Sequence, residues 1–176
     1  MSLRIGGLDL SFSSTGFALH TGDTFAYRVP DKYKKDVSDW KRYRCGLIRA
    51  EVITQMWMCD LVLIEGYSRG SIQGREELGY LGESVRETLD NIGVPHISIA
   101  PMTLKKFATG SGRASKDEMK KAAVDLLGLG PKVRDDEADA AFLRELGLFL
   151  VGQSSRMPPS SHTDHLKKIE LPEGLQ

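Results

Sequence analysis

The 176-residue sequence has little cysteine, no excess of charge of either sign and no long apolar run. Its two cysteines, Cys45 and Cys59, are not spaced as a metal or redox motif, which favours reduced thiols in a reducing compartment. No apolar stretch approaches the roughly 20 residues that a membrane span needs. The first residues also lack the pattern of a signal peptide. We therefore expect a cytoplasmic protein that does not associate with a membrane.

The balance of charge excludes a nucleic-acid-binding protein that is basic over its whole surface. Twenty-four Lys and Arg residues are matched by 24 Asp and Glu residues, so any surface for nucleic acid must be local. Hydrophobic residues make up 40% of the chain, which excludes a wholly disordered protein. At this length we expect one domain with a core large enough to fold without disulfides.

The order of the sequence patterns predicts an α/β fold. Three strands at 3–10, 16–20 and 24–29 form an antiparallel meander, and an apolar strand follows at 61–65 and a short one at 96–99. Helical spacing covers 37–58, 76–91, 115–127 and 136–150. We therefore expect a five-stranded mixed sheet, with two parallel strands beside the meander and helices on both faces. The domain is expected to span 1–151, and 152–176 to be a flexible or disordered tail.

Four carboxylates occupy positions that suggest metal chemistry. Asp9 and Glu65 each end a predicted strand, and Asp136 and Asp139 share one face of the last helix. Their mutual repulsion would be severe without a cation, and Mg²⁺ or Mn²⁺ prefers such oxygen ligands. Two such ions could clamp the attacking and leaving oxygens of a phosphodiester hydrolysis. We assign Asp135 to the helix N-cap, although it competes with Asp136 for the ligand role.

Each of these acids also has an ordinary structural interpretation. A single Asp after a strand commonly serves a turn, and acids at a helix start commonly serve capping and the helix dipole. Glu65 fits such a role least well, because it directly follows the apolar residues Val62-Leu63-Ile64.

Two local segments carry an excess of positive charge. Residues 103–121 contain six Lys and Arg and two acids, with Gly110 and Gly112 allowing backbone amides to approach an anion. Residues 32–44 contain six Lys and Arg and two Asp, with Trp40 and Tyr43 among them. The first segment is interpreted as a phosphate contact rather than a solvated loop. The second is equally well explained as a DNA contact or as core aromatics beside exposed charges.

Four motifs together resemble the RuvC-type Holliday junction resolvases. They are Leu8-Asp9-Leu10-Ser11-Phe12-Ser13-Ser14-Thr15-Gly16, then Val62-Leu63-Ile64-Glu65, the basic segment 101–116 and Asp136-Glu137-Ala138-Asp139-Ala140. They occur in the order of the family and span residues 6–142. The basic segment and the short chain resemble phage-encoded members more than housekeeping bacterial ones, so the cytoplasm could be that of a bacterium or of a phage-infected host.

The resemblance implies a ribonuclease H-like fold and a homodimeric endonuclease that uses two Mg²⁺ ions, or Mn²⁺ in their place, to nick branched DNA in recombination, repair or phage DNA processing. Asp9, Glu65, Asp136 and Asp139 would hold the metals, and Lys116 would join them in catalysis. The remaining DNA contacts expected are Lys105, Lys106, Arg113, Tyr67 and Arg69. The sequence departs from the family at Leu10-Ser11, where Pro-Gly is usual, and at Tyr67, which stands one position before the usual junction-stacking aromatic.

Two other classes of function compete with a nuclease. A non-catalytic protein that binds branched DNA would be expected to lose one or more of the four acids, and all four are present. An ATP-binding protein of the actin and hexokinase type also places an Asp after its first strand. That class needs a second such domain and a second phosphate loop, which a chain of this length with one copy argues against.

Overall fold

The computed structural model describes residues 2–31, 39–66, 72–156 and 158–175, and for residues 72–78 the backbone only. The strands are β1 (Ile5–Asp9), β2 (Thr15–Ala18), β3 (Thr24–Tyr27), β4 (Leu61–Glu65) and β5 (His96–Ile99). The helices are α1 (Trp40–Met56), α2 (Ile72–Asn91), α3 (Pro101–Thr109), α4 (Lys116–Leu127), α5 (Asp135–Leu150) and the short α6 (Ser160–Thr163), which a 3₁₀ turn follows at Asp164–Lys168.

The strands form one mixed sheet in the order β3-β2-β1-β4-β5. The β1–β2 and β2–β3 pairs are antiparallel, whereas β1–β4 and β4–β5 are parallel. This arrangement confirms the predicted α/β fold, with its meander and two further parallel strands.

Helices cover both faces of the sheet because the interior strand β4 is apolar on both sides. Successive residues of β4 point to opposite faces, so Val62 and Ile64 enter one core and Leu61 and Leu63 enter the other. The first core is closed by α1 and α2, and the second by α3, α4 and α5. Among the described residues, no helix is both long and apolar enough to span a bilayer.

The structure differs from the sequence prediction after residue 100. Residues 101–109 form helix α3, where only a basic segment was expected. Pro101 occupies the first turn, where a missing N–H costs nothing, and Leu104, Phe107 and Ala108 are buried at helical spacing. The predicted capping box of α4 is confirmed, with Ser115 at the N-cap and Glu118 three residues later.

The segment after residue 151 packs against the second core, although a flexible or disordered tail was expected. Leu166 is 3% exposed, and Ile169, Leu171 and Leu175 pack around the same core. These four residues are few and widely spaced, so the composition of the segment gave little sign of burial.

Candidate active site

Two acidic residues meet at one edge of the sheet because β1 and β4 are parallel neighbours. The register pairs Leu8 with Ile64, so Asp9 and Glu65 follow as the last residues of the two strands. The carboxyl ends of parallel strands meet at the same edge, where loops begin and the backbone no longer covers the side chains. Both carboxylates are partly buried at this edge.

Helix α5 brings a third carboxylate, and two glycines let the helix approach the sheet closely. A Cβ atom at Gly7 would lie 2.2 Å from the carbonyl oxygen of Ala140, and one at Gly16 would lie 2.0 Å from that of Asp136. Any larger residue at either position would push the helix away. The contact of β1 and β2 with the first turns of α5 thus places Asp139 beside the two strand-end acids.

The three carboxylates of Asp9, Glu65 and Asp139 form one compact group, which we call the acidic triad. One oxygen from each lies within 4.8 Å of the other two. Oδ1 of Asp139 is buried and has no hydrogen-bond partner in the described part of the chain. An unsatisfied buried carboxylate oxygen is costly unless a cation or proton faces it.

Burial and mutual repulsion raise the pKa of every member of the acidic triad. Burial first, and then the charge of Asp139, raise the pKa of Glu65 from 4.5 to about 7. Burial and the charge of Asp9 raise the pKa of Asp139 from 3.8 to about 7. The pKa of Asp9 lies well above 3.8, because the carboxyl is desolvated and faces Glu65. The site therefore holds protons where a divalent cation would stabilise the ionised forms, so the residues present fit a hard metal ion.

Asp136 takes a different position from the one predicted for it. Although it lies one turn before Asp139, it does not belong to the group of three, and its buried carboxylate contacts Arg134 and Ser14 instead. The Nε atom of Arg134 lies 3.2 Å from Oδ1 of Asp136, and the Ser14 hydroxyl donates to Oδ2. The charge of Asp136 still contributes to the raised pKa of Asp9, so this carboxylate borders the triad.

The assignment of Asp135 to the N-cap is wrong, because Arg134 caps α5 and Asp135 is its first helical residue. The Asp135 carboxylate instead binds Lys116 at 3.1 Å and Lys120 at 3.3 Å. Sequence analysis also missed Arg134 and Ser14 as the partners of Asp136. A local signal existed for one of these two partners, because Arg134 directly precedes two acidic residues in the sequence.

Two lysines of the basic segment lie close enough to influence the acidic triad. The charges of Lys105, on α3, and Lys116, at the start of α4, both lower the pKa values of Glu65 and Asp139 against the larger effect of burial. The Lys116 side chain is 77% exposed and paired with Asp135. Its ammonium group is therefore accessible to a ligand that approaches the acids from solvent.

The other predicted DNA contacts lie elsewhere or outside the described residues. Lys106 and Arg113 line a separate cavity between α3 and the C-terminal segment. Tyr67, Arg69 and residues 32–38 lie outside the described part of the chain. Trp40 stacks on Tyr43 with ring centroids 5.9 Å apart and packs against the first core. This placement agrees with the interpretation in which the aromatic residue contributes to packing.

The curated proteins that match this chain carry the same name. Residues of this chain are 35% identical over 94 positions to a crossover junction endodeoxyribonuclease RuvC from Anaeromyxobacter sp. (strain Fw109-5), covering 53% of this chain and 45% of that protein. A RuvC from Synechococcus sp. (strain WH7803) is 40% identical over 63 positions, covering 35% of this chain and 41% of that protein. The chain is similar to the RuvC resolvases. The matched segments span less than half the length of either curated relative.

Solved RuvC structures share the fold over a larger part of the chain. The structure of Thermus thermophilus RuvC aligns with a TM-score of 0.64 at 18% identity, covering 85% of this chain and 96% of that one. T. thermophilus RuvC in complex with a Holliday junction substrate aligns with a TM-score of 0.66 at 20% identity, covering 86% and 98%. No family model matches the sequence. The comparisons confirm the expected resemblance to RuvC and its ribonuclease H-like fold.

Proposed function

We propose that the chain is a metal-dependent endonuclease that nicks branched DNA, with four-way junctions as its main substrate and forks and flaps as further ones. The observation that carries the proposal is the acidic triad, whose oxygens lie within 4.8 Å of one another at the edge of the sheet. The similarity to RuvC over half the chain supports the choice of substrate. We place this activity in recombination and repair, or in phage DNA processing, in the cytoplasm.

The acidic triad would hold the catalytic metal, with two Mg²⁺ ions in the complete site and Mn²⁺ as a substitute. Bound there, the divalent ions would stabilise negative charge on the attacking and leaving oxygens of the phosphodiester. Asp136 would reach a metal only by giving up its contacts with Arg134 and Ser14. We therefore assign the primary ligand role to Asp9, Glu65 and Asp139, and a bordering role to Asp136.

The residues of the chain itself bring the phosphate to this acidic site. Lys105 and Lys116 supply positive charge beside the acidic triad, which would otherwise repel the DNA backbone. Lys116 would exchange Asp135 for a phosphate oxygen when DNA binds, because its exposed ammonium group can rotate from one to the other. Tyr67 and Arg69 lie two and four positions after Glu65 in the sequence and are proposed to contact the junction.

A junction has two equivalent strands to nick, and one site can nick only one strand at a time. We propose a homodimer, since a two-fold axis would present two sites in matching orientation. Sedimentation of the chain, free and on junction DNA, should give the mass of a dimer. A monomer under both conditions would exclude this part of the proposal.

The decisive experiment measures cleavage of a labelled four-way junction with Mg²⁺, comparing the wild type with Asp9→Asn and Glu173→Gln. Glu173 is an exposed acid outside the site and serves as the matched control. Asp9→Asn should abolish cleavage, bind the junction equally or more tightly, and keep or raise the melting temperature without Mg²⁺, because one repelling charge is gone.

The other possible results of this experiment would each contradict part of the proposal. Cleavage by Asp9→Asn near the wild-type rate would remove Asp9 from the site. Loss of binding together with a collapsed melting temperature would assign Asp9 to a structural turn. Tight junction binding by a wild type that never cleaves would favour the non-catalytic alternative.

A further inference from the structure

The C-terminal segment is fixed to the second core by contacts on both sides of residue 157. The guanidinium of Arg156 lies over the rings of Phe107 and Phe142, 5.5 Å and 5.6 Å from their centroids. Leu166 is buried in the same core. Because Phe107 belongs to α3, the segment is joined to the helix that carries Lys105 and Lys106.

The same segment contacts the loop at 110–113, which connects α3 to α4. The Nε2 atom of His162 would lie 2.5 Å from a Cβ at Gly110, so the ring packs directly on the glycine, whose φ of +85° also disfavours a side chain. A ring nitrogen of His165 lies 3.2 Å from the carbonyl oxygen of Thr103 in the first turn of α3. The loop is thus held between α3 and the C-terminal segment.

A cavity of about 540 Å³ opens where these three parts meet, and we call it the tail pocket. Its lining residues are Met102, Thr103, Lys106, Gly110, Ser111, Gly112, Arg113 and His165. Among the residues that the structure describes, the lining contains two cationic residues, a serine and a threonine, and no acidic residue. Within the described residues, neither Lys106 nor Arg113 takes part in an ion pair.

The chemistry of the tail pocket suits a phosphate group. Two cations without an ion-pair partner among the described residues, together with small polar residues in an open cavity, favour a multiply charged anion over a neutral or cationic ligand. The two cationic residues of the pocket are also close in sequence to the two lysines that act on the acidic triad. Lys105 and Lys106 are consecutive on α3 and point about 100° apart, so Lys105 influences the triad while Lys106 lines the pocket. Arg113 stands three residues before Lys116, which also acts on the triad.

We propose that the tail pocket binds a backbone phosphate of the DNA away from the scissile phosphate, through Lys106 and Arg113. The C-terminal segment shapes the pocket, with His165 as a positioning residue. This inference rests on the proposed function, and it makes His165 the residue of the C-terminal segment that borders the DNA-binding surface. A strand cut at the acidic triad would continue across α3 and the loop to the tail pocket.

The test measures binding of a fluorescent four-way junction by anisotropy over a series of salt concentrations, in EDTA so that no cleavage occurs. Lys106→Ala and Arg113→Ala should each weaken binding roughly threefold to tenfold and reduce the salt slope by about one, since each removes one phosphate contact. Lys167→Ala is the matched control. It removes an exposed tail cation that does not line the pocket and should change neither quantity appreciably.

The positioning role of His165 has its own signature. His165→Ala should weaken binding with an unchanged salt slope, because no phosphate contact is lost. His165→Gln, which retains an N–H donor for the Thr103 carbonyl, should restore most of the affinity. Melting curves of both variants would show whether they are folded. If His165→Ala fails to fold, a His165→Gln variant that is folded and binds like the wild type still supports the role, and one that binds weakly contradicts it.

The outcomes separate the pocket from the proposed function. If the wild type binds and cleaves junctions while Lys106→Ala and Arg113→Ala bind like the wild type, the pocket is overturned and the nuclease stands. Equal losses of junction affinity in Lys167→Ala and Arg113→Ala would show a general effect of positive charge. That result would also overturn the proposal that the pocket binds phosphate. A wild type that binds no DNA would overturn both.

Discussion

The carbonyl oxygen of Asp136 lies where a side chain on Gly16 would begin, so there is no room for one between helix and sheet. Gly16→Ala would bring its Cβ to 2.0 Å from that oxygen, and backbone cannot yield as a flexible side chain can. We expect a loss of roughly 3 kcal/mol in the free energy of unfolding, as for an overpacked core, and a weaker metal site because α5 is displaced.

Gly46→Ala is the matched control for this change. Gly46 lies in α1, and a Cβ there would meet no atom within 4 Å. This substitution should be neutral or stabilise the chain by up to about 1 kcal/mol, because alanine favours a helix. Denaturant unfolding of both variants would test the prediction. Equal stability of the two would show that α5 can move away from the sheet at little cost.

The stability of the metal-free chain should fall as the pH rises from about 4 to about 7. The folded state keeps protons on Glu65 and Asp139 up to a pKa of about 7, whereas the unfolded chain releases them near 4.5 and 3.8. The folded state thus binds more protons over this range, so the free energy of unfolding should decrease steadily as the pH rises.

Melting at several pH values, in EDTA and in Mg²⁺, would measure this dependence. Mg²⁺ should restore stability at pH 8, because a bound cation takes the place of the protons. Asp139→Asn should make the EDTA profile flatter. A profile in EDTA that rises between pH 5 and pH 8 would contradict the raised pKa values.

Asp139 and Asp136 should differ in their importance for cleavage. Asp139→Asn removes a member of the acidic triad and should reduce cleavage below detection. Asp136→Asn should reduce it only about 10-fold, as expected for a residue that borders a metal site rather than binding the metal directly. Single-turnover rates with saturating Mg²⁺ would decide. Equal losses in the two variants would place Asp136 among the ligands, as the sequence alone suggested.

Asp135 should restrain Lys116 in the absence of DNA. Asp135→Asn removes the carboxylate partner of Lys116 and makes its ammonium group available to phosphate, whereas Lys120 keeps its ion pair with Asp117 at 2.9 Å. We expect tighter junction binding, by roughly threefold to tenfold, and a steeper dependence of affinity on salt. Asp125→Asn, which releases the exposed Lys121 in the middle of α4, is the control and should have a smaller effect. Weaker binding by Asp135→Asn would show that the ion pair orients Lys116 for DNA.

Much of the fold could be predicted from the sequence because its signals are local. The apolar run before Glu65 and the capping box at Ser115 each depend on residues close together in the chain, and both are confirmed. Helix α3 was not predicted, because its lysines and the glycines that follow it are typical of a loop. The apolar spacing of Leu104, Phe107 and Ala108 was present but short.

The partners of Asp136 and the packing of the C-terminal segment could not be predicted in the same way. Ser14 lies 122 positions from Asp136, and their contact depends on how closely α5 packs on β2. His165 meets Thr103 across 62 positions. Such contacts follow from the tertiary arrangement, and no local pattern signals them. The source of the chain in a phage likewise stays a prediction.

The parallel pairing of β1 and β4 has a consequence for how this site can change in evolution. A slip of one residue in either strand would turn its terminal carboxylate to the opposite face of the sheet, so insertions and deletions within these strands would remove a ligand outright. The helix that carries Asp139 is held by packing instead, because a side chain at Gly7 or Gly16 would move it away from the sheet. We expect related sequences to keep both strand-end acids and a glycine at both of these positions.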